Sequence, residues 1–203
     1  MNVKKFVLGQ VMTNMYVVSD DKGQGFLVDC AAISPAVDKY IEDNNIDIKF
    51  ILQTHTHFDH VEGLKYYRDK FGVDVYASED ARYLANDPNY NLGYHINNLE
   101  VPIDIYLKDG QVFSNFNITA IKTPGHTIDS MSFALKDEDV VFTGDTLFRL
   151  SIGRTDFPGG SIQDIIYSIK NKLGKLDKNT IVYPGHNENS EIGFELANNP
   201  FLI

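Results

Sequence analysis

Four possible metal ligands fall within six residues of one run, Thr54-His55-Thr56-His57-Phe58-Asp59-His60. The whole chain has six histidines, and three of them lie in this run. An apolar stretch from Lys49 to Gln53 precedes it and a helical pattern from Val61 to Lys70 follows. The run therefore belongs on a loop between a strand and a helix, where functional groups are usually carried. Side chains of extended backbone alternate with period two, so His55 and His57 project to one side. Asp59 and His60 fall where the chain turns into the helix and can face a second point. The spacing predicts two metal positions sharing one loop.

Three isolated residues share a context with that run. They are His126 in Thr123-Pro124-Gly125-His126-Thr127, Asp145 in Thr143-Gly144-Asp145-Thr146 and His186 in Tyr183-Pro184-Gly185-His186. Each follows a predicted strand and stands beside a glycine, which lets backbone approach closely. Strand ends on one side of a sheet sandwich converge, so all seven side chains can meet in one cleft. Imidazole and carboxylate donors suit divalent Zn, Fe or Mn, and ligand type does not choose among them.

The elements needed to bring these residues together can be read from the same sequence. Strands are predicted at Tyr16–Val18, Gly25–Asp29, Lys49–Gln53, Val73–Ala77, Gln111–Phe113, Phe116–Ile121, Met131–Leu135, Val140–Thr143 and Thr180–Tyr183. Helices are predicted from Ser34-Pro35 to Asn44, over Val61–Lys70 and Ser78–Asn86, from Ser161 to Leu173, and over Glu191–Asn198. Ser34 with Pro35, and Ser161, are helix-start signals. Strands and helices interleave in both halves, which implies two sheets covered by outer helices.

Composition narrows the partners. The net charge is -10 and the 18 Lys and Arg residues are scattered, which argues against a nucleic-acid partner. No apolar run reaches the roughly 20 residues of a membrane span, and Met1 to Gly9 does not read as a signal peptide. A cytoplasmic location is the expectation. Cys30, the lone cysteine, is expected to be a small core hydrophobe, with no intramolecular disulfide possible. The 24 Tyr and Phe residues (11 and 13) suffice for an apolar cleft or for an interface, so oligomeric state stays open.

With these motifs in place, the chain resembles the metallo-β-lactamase-fold hydrolases, and within them the glyoxalase II-like branch. The likeness runs from Asn14-Met15-Tyr16 through the metal motifs to Asn199-Pro200-Phe201. It is closest at Gly144-Asp145-Thr146-Leu147-Phe148 and Gly153-Arg154-Thr155-Asp156. The resemblance implies an α/β fold, a four-layer αββα sandwich spanning residues 1–203 as one domain, with the site at one edge of the sheets. It implies that His55, His57 and His126 bind a first metal, that Asp59, His60 and His186 bind a second, and that Asp145 bridges both. Two divalent ions per chain follow, Zn first, with Fe or Mn as alternatives. A small-molecule thioester, S-lactoylglutathione or a related acyl-thiol conjugate, is the implied substrate, attacked by a hydroxide shared between the metals. Asp59 and Asp145 are the expected catalytic carboxylates.

Departures from the branch matter too. Only 17 residues follow His186, so the helical extension that supplies most glutathione contacts in two-domain relatives is not expected. Asn187 stands where the pattern usually has glycine. Zinc β-lactamases commonly place cysteine at the bridging position, whereas here it is Asp145, so antibiotic hydrolysis is not expected. A mononuclear iron persulfide dioxygenase using His55, His126 and Asp145 is an alternative, as is hydrolysis of another ester or lactone. Thr56 and Thr127 are candidates for orienting the imidazoles. Arg154 either pairs with Asp156 in a buried contact that shapes the loop Phe148–Gly160 or touches substrate. His95 lies outside every motif, although Tyr90–His95 could line the cleft.

Overall fold

In strands such as those over Thr13–Ser19, Met131–Leu135 and Val140–Gly144 every residue is buried, and the two faces of each strand serve different cores. The computed structural model describes residues 1–114 and 116–203. A first sheet runs in chain order through β1 (Asn2–Leu8), β2 (Thr13–Ser19), β3 (Gln24–Val28), β4 (Asp47–Leu52), β5 (Asp74–Ser78) and β6 (Ile105–Leu107). The second contains β7 (Val112–Phe113), β8 (Ile118–Lys122), β9 (Met131–Leu135) and β10 (Val140–Gly144), with β13 (Ile181–Pro184) and β14 (Ser190–Glu191) beyond a small hairpin, β11 (Leu147–Phe148) and β12 (Ser151–Ile152). Its spatial order is β14-β13-β10-β9-β8-β7.

Period-two alternation sorts these side chains into layers. Tyr16, Val18, Phe26 and Val28 of the first sheet pack against Met131, Phe133, Leu135 and Phe142 of the second. The opposite face of the first sheet, including Val17 and Leu27, receives helices α1 (Pro35–Asp43), α2 (Phe58–Val61) and α3 (Leu64–Phe71) through Val37, Ile41, Val61, Leu64 and Tyr67. Ala134, Val141 and Val182 on the outer face of the second sheet meet α4 (Ile162–Asn171) and α5 (Ile192–Asn198) through Ile165, Ile169 and Ile192. Three cores between four layers make the expected αββα sandwich. Among the described residues, no helix is long and apolar enough to cross a membrane.

Strand direction then decides where the site lies. β8 and β10 both run antiparallel to β9, and β10 runs parallel to β13, so the C-terminal ends of β8, β10 and β13 share one edge. The loop after β4 reaches that edge from the other sheet, where the Met131 N–H donates to the Thr54 carbonyl (2.8 Å). Four ligand-bearing loops converge there.

Several elements differ from the sequence expectations. The helix expected over Val61–Lys70 is broken at Gly63, where a Cβ would lie 2.8 Å from the Ala32 carbonyl carbon. The helix expected over Ser78–Asn86 shrinks to a 3₁₀ turn at Glu79–Tyr83. That segment buries only Ala81 and Ala85 in the core, too little apolar surface to propagate a helix. The edge strand β1, with Lys4 and Lys5 in its middle, and the short strands β6, β11, β12 and β14 carry too weak a pattern to be read in advance.

Candidate metal centre

A buried carboxylate that the sequence analysis passed over builds the first ligand loop. Asp29 follows β3 with φ of 54° and accepts from the Thr54 N–H (2.8 Å), the Thr54 hydroxyl (2.7 Å) and Gln53 Nε2 (3.0 Å). Its Oδ2 also lies 2.9 Å from His60 Nδ1, which turns His60 Nε2 inward. Gln53 Nε2 adds contacts to the carbonyls of His55 (2.8 Å) and His60 (3.2 Å), fastening both ends of the loop. The available signal was a charged residue directly after the apolar run Phe26-Leu27-Val28. Thr13, also passed over, donates to Asp59 Oδ2 (2.6 Å).

The other three expected ligands arrive one per loop. His126 Nδ1 donates to the Arg154 carbonyl (2.7 Å), fixing the tautomer that leaves Nε2 facing the centre. Asp145 follows Gly144, whose φ is 49° and whose Cβ, if present, would strike Thr54 Oγ1 at 2.3 Å. Gly185 precedes His186, and a Cβ there would sit 2.2 Å from Asp145 Oδ1 and 2.7 Å from His60 Cε1. Glycine is required at both positions because the side chains of the site fill the space. Asn14 clamps the His186 turn from the first sheet, donating through Nδ2 to the carbonyls of Pro184 (2.9 Å) and Asn187 (3.0 Å). Asn187 has φ of 65°, a left-handed conformation that asparagine tolerates better than most residues. The exchange of glycine for asparagine therefore leaves the turn intact.

All seven expected residues come together. Donor atoms of His55, His57 and His126 lie within 4.8 Å of one another, as do those of Asp59, His60 and His186, and those of His55, His60 and Asp145. Asp145 faces both sides, with Oδ2 3.6 Å from His126 Nε2 and 3.4 Å from His186 Nε2, and Oδ1 3.3 Å from His60 Nε2. Nε2 of His55, His57 and His60 and Oδ1 of Asp145 are buried and have no hydrogen-bond partner among the described residues. Burial without a partner is costly for such atoms, and a bound cation satisfies it. The residues present fit divalent metal.

Protonation divides the donors. Burial, with the neighbouring imidazoles adding to it, holds His55 well below the ordinary histidine value and His57 at about 3. Burial also opposes a proton on His60 and His186, but carboxylates prevail: Asp59, Asp145 and Asp29 hold His60 well above its ordinary value. Hydrogen bonding to Asp145 and Asp59 raises His186 to about 9. Asp59, despite its burial, is brought down to about 2, chiefly by His60.

Three expectations change, those for Thr56, Thr127 and Arg154. The hydroxyls of Thr56 and Thr127 turn to Asp129 Oδ2 (2.8 Å) and Ser130 Oγ (2.6 Å), away from the imidazoles; Thr54 Oγ1, 3.2 Å from His55 Nδ1, is the hydroxyl beside a ring. The Arg154–Asp156 pair is bidentate (2.9 and 2.7 Å) but exposed, at 65% and 67% of side-chain surface, so it is no buried staple. Residue 154 shapes the site through its carbonyl, while its guanidinium lies 4.2 Å from the Phe157 ring centroid. His95 is exposed and stacks edge-on against Phe58 (4.7 Å), and from its segment Leu92 lines the cleft. Cys30 is fully buried, in the core as expected.

A cleft of about 470 Å³ opens over the donors, walled by Val11, Phe58, Leu92, Phe148, Ile152 and Phe157, with Arg154 as its cation. Larger grooves of about 650 and 730 Å³ lie elsewhere, and none of the seven donor residues lines them.

With this fold and donor set, the chain belongs to the metallo-beta-lactamase superfamily, whose family model matches residues 8–186. It is 31% identical over 208 residues to a protein named hydroxyacylglutathione hydrolase GloC from Haemophilus influenzae, covering 100% of this chain and 98% of that one. The crystal structure of BLEG-1, titled a B3 metallo-beta-lactamase, superposes with a TM-score of 0.93 at 33% identity, with 99% of each chain covered. TTHA1623 in a di-iron-bound form matches with a TM-score of 0.85 at 30% identity, over 98% of this chain and 100% of that one.

Proposed function

We propose that the chain is a binuclear metal-dependent hydrolase of thioesters, acting on S-lactoylglutathione or a related acyl-thiol conjugate. The observation that carries this reading is Asp145, whose Oδ2 lies between His126 Nε2 (3.6 Å) and His186 Nε2 (3.4 Å) while its Oδ1 faces His60 Nε2 (3.3 Å). His55, His57 and His126 are assigned to one ion and Asp59, His60 and His186 to the other, with Asp145 shared. Two such ions, when bound, would supply a water of lowered pKa and a Lewis acid for the carbonyl. The rest falls to the protein. The Thr13 hydroxyl holds the Asp59 carboxylate against His60 and His186. Phe58, Phe148 and Phe157 supply an apolar wall against which an acyl group can lie. A thiolate leaves readily, so the reaction makes little demand for a general acid. The likeness to a hydroxyacylglutathione hydrolase supports this substrate class. A metal identity of Zn, Fe or Mn fits the donors equally, and the di-iron form of one relative keeps iron in the test.

A second reading is hydrolysis of a β-lactam amide. Asp145 in the expected bridging position argues against it, yet the B3 metallo-beta-lactamase BLEG-1 is 33% identical to this chain.

The deciding measurement is kcat/KM for S-lactoylglutathione on protein loaded separately with Zn, Fe and Mn, beside His57→Ala. A value of about 10⁴ M⁻¹s⁻¹ or more that disappears in the variant is the expected result. A negligible rate in metal-loaded protein removes lactoylglutathione, and turnover of a cephalosporin would then favour the second reading. One iron per chain with oxygen uptake on a persulfide would replace hydrolysis altogether.

A further inference from the structure

Behind the first donor group lies a second buried carboxylate that none of the roles above uses. Asp129 is 1% exposed and stands three residues beyond His126. One oxygen accepts from the Thr56 hydroxyl (2.8 Å), in the residue between His55 and His57. The other accepts from the Tyr90 hydroxyl (3.0 Å). That phenol is itself pinned, because its oxygen accepts the backbone N–H groups of Ile128 (2.9 Å) and Asp129 (3.3 Å). Its proton can therefore serve only the carboxylate, and the Tyr90–Asp129 contact has a single possible polarity.

Tyr90 connects this carboxylate to the mouth of the cleft. The next residue, Asn91, accepts from the Phe58 N–H through its carbonyl (2.7 Å), and Phe58 and Leu92 both line the cleft. Asp129 thus holds three separate chain segments: the loop of His55 and His57, the turn of His126, and the lip carrying Leu92. Uncharged donors alone satisfy its two oxygens, Thr56 and Tyr90 with Thr127 and its own backbone N–H beside them, and burial nonetheless pushes its pKa up. Keeping a carboxyl so deeply desolvated is expensive for a mere staple, and an amide cannot accept at both ends.

We propose that Asp129 is a positioning residue that couples the His55–His57–His126 metal position to the substrate-binding lip, with Thr56 as the arm toward the metal and Tyr90 as the arm toward the lip. This rests on the metal assignment above. Outer contacts of this kind are worth about 10- to 100-fold in metal affinity.

Each arm can be cut alone in the full-length protein. Thr56→Val keeps the shape and removes the metal arm; Tyr90→Phe removes the lip arm. Cobalt(II) binding is followed by its visible absorption band and by competition with a chromophoric chelator, and KM and kcat are measured on the best thioester found. Thr56→Val is expected to weaken the tighter or looser of the two cobalt steps, one only, by about tenfold and to shift its absorption band. Tyr90→Phe is expected to raise KM severalfold with kcat and both cobalt steps retained. Asp129→Ala should show both effects, and if it fails to fold the single-arm variants still decide. Variants that lose only thermal stability, with wild-type cobalt steps, band and KM, overturn the coupling and leave Asp129 a staple. Wild-type protein that binds no cobalt overturns the metal assignment itself, an outcome separate from failure of the coupling.

Discussion

The two donor groups differ in depth, with His55, His57 and His126 buried and Asp59 and His186 partly exposed, and the protons of His55 and His57 behave oppositely to those of His60 and His186. At His55 and His57, imidazole meets imidazole, and the neighbouring rings reinforce burial. His57, lowered to about 3, is neutral at ordinary pH and offers the lone pair of one ring nitrogen. In the group of Asp59, His60 and His186, two or three carboxylates stand beside each ring and outweigh burial. His186 at about 9 and His60 above its ordinary value keep their protons at neutral pH. Burial alone does not decide the state of a ligand; the sign of the nearest charge does. His55 and His57 are held neutral and need shed no charge to meet a cation, whereas His60 and His186 must each give up a proton.

The most severe way to break this pairing is Asp145→Ala, which removes the one carboxylate that faces both groups. Activity should fall by more than the roughly 100-fold ceiling for outer contacts, and metal analysis should give fewer than two ions per chain. Full activity with two ions would refute the bridging assignment.

Asp29→Ala attacks the scaffold of the first loop, stripping an acceptor from Thr54, Gln53 and His60 at once. Losing one partner of a buried charged contact costs about 3–5 kcal/mol, so urea denaturation should show a loss of that order. A change below about 1 kcal/mol would mean that water replaces the carboxylate.

The protonation difference predicts unequal linkage. His186 is raised in the folded, metal-free protein, so its contribution to stability is fully present below the ordinary histidine value of about 6.5 and is lost as pH rises through about 9. A metal entering beside His60 and His186 must displace those protons. Calorimetry at pH 7.5 in buffers of differing ionisation enthalpy should show proton release confined to one of two binding steps, and that step should weaken as pH falls. Equal release from both steps would remove the contrast.

Asn187→Gly is the gentlest probe. Glycine relieves the left-handed backbone but adds freedom to the unfolded chain, so stability should move by less than about 1 kcal/mol and kcat should hold. A large loss of activity would assign the asparagine side chain a role in the cleft, which it lines.

The ligand run and the alternation of β2, β9 and β10 were legible because both are local. Period two places His55 beside His57, and short, mainly apolar runs such as Tyr16–Val18 and Val140–Phe142 demand cover on both faces. Asp29 and Asp129 were not legible as parts of the site, since an isolated aspartate has no pattern and its partners are distant in sequence. Thr56 and Thr127 misled for the same reason: adjacency to a ligand says nothing about where a hydroxyl turns. Arg154 was legible as a residue of interest but not in its means, because its carbonyl touches His126 while its side chain faces solvent. By itself, the sequence determined which residue types could ligate metal and that strands and helices would alternate in layers. Only the tertiary structure decided that His126, Asp145 and His186 meet that run across two sheets, and which rings keep their protons. Those outcomes depend on distances between segments remote in sequence, and electrostatic interaction is set by distance in space.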